Sequence, residues 1–294
     1  MTKEIFVNIG MHFDAVAGWV GSYGGQDSYC DISRGVFGAE VGVPRLLNLC
    51  EKYDIKGSWY IPGHSIESFH KESKMIADAG HEIGLHGYYH ENPRHMNEKQ
   101  ERYMYEKCIH LIEEISGKKP VGNNTPWWEF SENTFELLQE YGIIYDNSLM
   151  ARDFVPYYAT RGDKWTKVDY DKPAEEWMKP YVKGEETDLV VIPASWNLDD
   201  LPPMMFQKSA PNIYGFANPV DIFGQWRDAF DWVYREMDYA AVSICIHPDV
   251  SGRPHVLLQL EKLIEHIKRH PGVKFVTNEF IARDFIRRNP RKSK

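Results

Sequence analysis

No apolar run in the 294 residues approaches the roughly 18–20 needed to cross a bilayer. Met1-Thr2-Lys3-Glu4 enters a strand-like segment with no charged-then-apolar leader, so a cytoplasmic protein is expected. Basic residues are short relative to acidic ones, 34 against 43, for a net charge of −9. That balance lacks the basic field that nucleic acid or an anionic membrane surface would require. Cysteine is scarce too: Cys30, Cys50, Cys108 and Cys245 form no CxxC or other ligand spacing and read as small buried hydrophobes in a reducing compartment. No G-x-S-x-G elbow is present, which argues against a serine nucleophile. Linkers, low-complexity tracts and internal repeats are absent, so residues 1–294 read as one domain.

What the chain does have is an alternation of apolar runs and helix-period segments. Strands are predicted at 4–9, 56–61, 82–86, 142–146, 188–193, 240–247 and 273–277, and helices at 40–53, 65–79, 98–116, 132–141, 219–237, 255–270 and 278–287. Asn97 with Gln100 forms a capping box for the third helix, Gly117 stops it, and Ser131 is expected to cap the next. The alternation implies right-handed crossovers and a parallel sheet, and about seven strands imply an α/β fold, a distorted (β/α) barrel. Active sites of such barrels lie at the strand C-termini. Asp14, His86, His90, Pro126, Asp146 and His247 all fall at or just after predicted strand ends.

His86 and His90, in Leu85-His86-Gly87-Tyr88-Tyr89-His90, can aim two imidazoles at one point from a single turn of chain. Asp14 can add a carboxylate, which makes a donor set suited to a divalent cation, zinc by preference. His247, before Pro248, is the candidate acid. Asp199 and Asp200 are read either as a replacement base or as turn residues, and His12 is set aside as pointing away from Asp14. Fourteen per cent of residues are aromatic, with nine tryptophans. Trp19, Tyr23, Trp127, Trp128 and Trp196 are the candidate substrate-binding walls. Residues 18–30 and 150–187 are rich in Gly, Tyr and Trp without clear periodicity. They are expected to fold over the strand ends as a lid, with 150–187 a lid or an oligomer contact.

Together these segments resemble the polysaccharide deacetylases with the NodB homology domain. Phe13-Asp14 is similar to the start of that family's first motif, and His86/His90 to its H-x3-H motif. Tyr145-Asp146-Asn147-Ser148-Leu149 is similar to its YDxS segment, and Ile244-Cys245-Ile246-His247-Pro248 to the strand that ends in a catalytic histidine. The similarity runs from about residue 4 to 280 and is nearest the branch with the Helicobacter-type peptidoglycan deacetylase, cyclic imide hydrolases and allantoinase-like proteins. It implies a metal-dependent hydrolase of non-peptide C–N bonds, with Asp14, His86 and His90 on the metal, Asp14 and His247 catalytic, and a homotetramer. Three departures stand out. Only one carboxylate remains in the first motif, Asn124-Thr125-Pro126-Trp127-Trp128 lacks the family's arginine, and Gly87 replaces the usual Ser or Thr.

The substrate expected is a small amide or cyclic imide in a closed aromatic pocket. Two other readings stay open, a peptidoglycan N-acetylglucosamine deacetylase and a catalytically weakened relative that binds metal or ligand without turnover.

Overall fold

The computed structural model describes residues 3–208 and 215–291. Nine strands form one sheet among the described residues: β1 (Glu4–His12), β2 (Ser58–Ile61), β3 (Glu82–Leu85), β4 (Gly122–Asn123), β5 (Tyr145–Asp146), β6 (Tyr157–Arg161), β7 (Glu185–Val191), β8 (Tyr239–Ile246) and β9 (Val273–Phe275). Their order is β6-β7-β5-β4-β3-β2-β1-β8, with β9 paired on β1. Seven of them, β7-β5-β4-β3-β2-β1-β8, are parallel to their neighbours in a curled α/β half-barrel. An isolated parallel bridge between Asp199 and Cys245 brings the chain that follows β7 back onto β8 and narrows the seam. The chain is thus the α/β distorted barrel that the alternation predicts.

The long central strands are mainly apolar, as strands covered on both faces tend to be, with Asn8 in β1 and Ser243 in β8 as buried polar exceptions. From Ile5 to His12, β1 is buried at every position. Its Ile5, Val7, Ile9 and Met11 belong to one apolar core with buried side chains of the helices Glu98–Ser116, Pro219–Glu236 and Pro254–Lys268. The helix 98–116 carries the capping box of Asn97 and Gln100 and ends at Gly117 with φ +71°. Ser131 supports the next helix indirectly: its Oγ accepts from the Asn133 N–H, and Asn133 is the cap residue. The predicted helix 65–79 is broken at Phe69 into Gly63–Ser68 and His70–Asp78.

Of the two expectations for 150–187, the lid is not formed within a single copy of the chain. Tyr157–Arg161 and Glu185–Val191 pair antiparallel at the sheet edge, and the chain between them carries exposed Trp165, Tyr170, Met178 and Tyr181. None of residues 150–187 lines the cavity at the strand ends. That cavity is covered instead by 22–23, 127–128 and 196–207. No helix among the described residues is long and apolar enough to cross a membrane.

Candidate active site

Three strand ends deliver the polar groups. His12 is the last residue of β1, His86 follows β3 directly, and His247 follows β8. Asp14 lies two residues beyond His12, where the chain turns into the helix Ala15–Gly21. His90 sits at φ +60°, a conformation that costs an L-residue energy and aims its ring back at Asp14. The helix Ala15–Gly21 packs hard on this loop: a Cβ at Gly21 would lie 1.8 Å from the Tyr89 carbonyl oxygen. This close approach explains one of the glycines around the motif.

Asp14 is buried at the centre. His86 Nε2 lies 3.3 Å from its Oδ1, and His90 Nε2 3.8 Å from its Oδ2. Tyr23 OH donates to Oδ2 at 2.6 Å, and His247 Nε2 is 3.6 Å from the same oxygen. The ring tautomers follow from the acceptors. His86 Nδ1 meets the Asn124 carbonyl oxygen at 2.5 Å, so Nδ1 carries the hydrogen and the neutral ring presents a bare Nε2. Ser22 Oγ donates to the His90 carbonyl and stands 2.6 Å from His90 Nδ1, which leaves His90 Nε2 bare in the same way.

Asp14 Oδ1 and His86 Nε2 are therefore two acceptors facing each other. Both are buried and neither has a hydrogen-bond partner. A cation between them removes that repulsion, so the carboxylate and two imidazoles fit a divalent metal ion.

His247 is held from behind. Its Nδ1 is 2.7 Å from Asp200 Oδ1, which also accepts from the His247 backbone N–H, and Ser251 Oγ donates to Asp200 Oδ2. Burial opposes a charge on His247, but the Asp200 hydrogen bond and the charges of Asp200, Asp199 and Asp14 outweigh it and push it up to about 10. Asp199, raised to about 7 by burial, stands on the Nδ1 side of His247 at 3.6 Å.

The residues set aside or weighed as turns thus matter. His12 lines the cavity, with its ring 4.6 Å from that of His86 and 5.0 Å from that of His247. Asp200 is the partner of the histidine. Only the Asp199-Asp200 pair left a trace in the sequence. Ser22, which steers His90, left none.

The cavity encloses about 410 Å³ and is lined by Tyr23, Trp127, Trp128 and Trp196 beside the polar groups. Trp128 and Trp196 stack with ring centres 4.1 Å apart. Trp19 is a correction: it is fully buried and packs on Tyr23, Met205 and Val250, with the Arg34 guanidinium 4.2 Å over its ring. It supports the wall rather than forming it.

The polysaccharide deacetylase family model matches residues 35–145. A peptidoglycan deacetylase of Helicobacter pylori is 60% identical over 292 residues, covering 99% of this chain and 100% of that one. The chain belongs to the polysaccharide deacetylase family. A peptidoglycan deacetylase-like protein of Gibberella zeae is 38% identical, over 97% of this deacetylase-family chain and 87% of its own. Among solved structures, a Mycobacterium smegmatis protein assigned to the polysaccharide deacetylases superposes with TM-score 0.83 at 28% identity, over 100% of this chain and 95% of that one. An allantoinase shares the fold with TM-score 0.77 at 22% identity, over 99% and 93%. The deacetylase is a hydrolase of non-peptide C–N bonds, and its fold family uses metal.

Proposed function

We propose that this chain is a metal-dependent deacetylase that cleaves the acetamido C–N bond of an N-acetylated amino sugar. The Helicobacter pylori relative's name supplies the substrate class. The metal rests on one observation, the 3.3 Å approach of two partnerless acceptors, Asp14 Oδ1 and His86 Nε2. Asp14, His86 and His90 hold the cation, zinc by preference. When bound, it would supply Lewis acidity that polarises a carbonyl oxygen and makes a water more acidic.

The chain's own groups do the rest. Tyr23 occupies Asp14 Oδ2 and leaves Oδ1 for the cation. His12 replaces the second carboxylate of the family's first motif: both it and Asp199 line the cavity, but His12 lies beside His86, whereas Asp199 Oδ1 is engaged by the Leu201 N–H on the Nδ1 side of His247. His12 takes a proton from the water that adds to the carbonyl carbon. Asp200 fixes the His247 ring with Nε2 toward the reaction, and Nε2 delivers a proton to the departing nitrogen as the C–N bond breaks. Acetate and an amine leave.

A second reading is favoured by the cavity wall. Trp127, Trp128 and Trp196 enclose a volume suited to a small ring, such as a cyclic imide. The test is one panel on the zinc-loaded protein: peptidoglycan and N-acetylglucosamine oligomers, a succinimide-like imide, a dihydropyrimidine and allantoin. Acetate release from the sugars that is lost with chelator is the expected result. Ring opening of an imide without acetate release moves the assignment to the second reading. Bound zinc with no turnover on any member assigns the chain to the catalytically weakened class.

A further inference from the structure

A second carboxylate–imidazole cluster lies on the opposite rim of the sheet. The helix Pro219–Glu236 leads into the start of β8, and the helix Pro254–Lys268 leads toward the start of β9. Asp231 on the first faces His266 on the second, with His266 Nε2 2.6 Å from Asp231 Oδ1. His270, four residues after His266, completes the group, and one donor atom from each of the three lies within 4.8 Å of the others. All three are partly exposed, so a hydrated ion can reach them. His247 and the site already described stand at the far end of β8, whose eight residues span about 26 Å.

We infer that Asp231, His266 and His270 form a second divalent-cation site, one that clamps the two helices together and takes no part in the reaction. The donor chemistry is that of the first site, two imidazoles and a carboxylate from separate elements. The orientation of His270 is set before any ion binds. Its Nδ1 is 3.0 Å from the His266 carbonyl oxygen, an acceptor only, so Nδ1 carries the hydrogen and Nε2 keeps its lone pair for a metal. Aromatic rings hold both imidazoles: Phe230 meets His266 and His270 edge-on at 6.0 and 5.0 Å, and Tyr234 meets His270 at 4.6 Å. Tyr234 is itself anchored to the turn through its hydroxyl, which donates to the Pro271 carbonyl at 3.1 Å. Three protein ligands, the hydrogen-bonded Asp231 and His266 together with the oriented His270, leave open positions for water, as zinc accepts at exposed sites.

The test is zinc stoichiometry by calorimetric titration of metal-stripped full-length protein, in the wild type, His86→Ala and His270→Ala, with deacetylase activity measured alongside. His270→Ala is preferred to His266→Ala because it leaves the Asp231–His266 pair intact. The expected result is two equivalents in the wild type and one in each variant, with activity lost in His86→Ala and unchanged in His270→Ala. One equivalent in the wild type, lost in His86→Ala and kept in His270→Ala, would overturn the second site while leaving the proposed function in place. One equivalent lost only in His270→Ala would support the second site and overturn the metal assignment at Asp14. No binding in any of the three overturns both.

Discussion

At the residue scale the site is decided by which nitrogen of each imidazole carries the hydrogen. The Asn124 carbonyl sets this for His86, Ser22 for His90 and Asp200 for His247. These partners direct two lone pairs at Asp14 and leave the third ring free to give up a proton. Replacing His86 by Ala removes one of three donors, so the variant should lose the active-site zinc and its turnover while keeping its circular dichroism spectrum. Full zinc occupancy at this site in the variant would refute the assignment. The His12 role makes a different prediction. His12→Asn retains a polar group of similar reach but cannot accept a proton at neutral pH. It should lower kcat by about 10²–10⁴-fold, the usual worth of a general base, with zinc content unchanged. Asp199→Asn should cost far less, because Asp199 Oδ1 already accepts from the Leu201 N–H and lies on the Nδ1 side of His247. Equal losses in the two variants would contradict the choice of His12. Metal spacing could be read from the sequence because His86 and His90 are close in the chain. His12 could not, because Asp14 turns into helical geometry at φ −71°, so strand alternation does not carry through to it.

At the element scale the H-x3-H segment depends on one glycine. Gly87 has φ +65°, where an L side chain is strained, and a Cβ there would stand 2.9 Å from the Pro126 ring. This accounts for the absence of the Ser or Thr expected after the first histidine. Gly87→Ser should destabilise the fold by about 1–2 kcal/mol through the positive φ alone. It should also weaken zinc binding, because pushing Pro126 moves the Asn124 carbonyl that orients His86. Urea denaturation and zinc titration measure the two effects, and a variant as stable as wild type would show that the strain is relieved elsewhere. Long elements were legible because burial on both faces writes a largely apolar run, broken only at Asn8 within residues 5–11 of β1 and at Ser243 within residues 240–246 of β8. The two-residue strand β4 was not: Gly122-Asn123 carries no apolar signal, and its place is set by packing against Tyr145 and by the Asn123 bond to Asp146. The helices Ala15–Gly21 and Tyr29–Phe37 were hidden by the glycines between them, which serve close packing rather than flexibility.

At the scale of the whole molecule, sequence alternation and strand-end placement foresaw the half-barrel and the rim that carries the site. They foresaw the cover only in part: Ser22 and Tyr23 of the 18–30 stretch line the cavity, whereas aromatic content alone does not distinguish a lid from an exposed edge such as the one near Trp165 and Tyr170. Stability of the whole fold should also depend on a group outside the site. His81 begins the turn into β3, is buried against Trp59, and accepts the Gly57 backbone N–H at Nδ1 at 3.1 Å. Burial, aided by Lys56, pushes its pKa down to about 4 in the folded chain, against about 6.5 when unfolded. Between these values the unfolded chain binds a proton at this position and the folded chain does not. Folding stability therefore rises with pH across this window, and the His81 contribution is complete above about 6.5 and lost as pH falls toward 4. The shift corresponds to about 3 kcal/mol. His81→Asn keeps an acceptor near the Nδ1 position but does not titrate. Chemical denaturation of wild type and variant at pH 7, 6, 5 and 4 isolates the effect as a difference, so losses shared with His12, His90 or bound metal cancel. The variant should become the relatively more stable protein as pH falls, and parallel stability curves from pH 7 to 4 would show that His81 is protonated equally in both states.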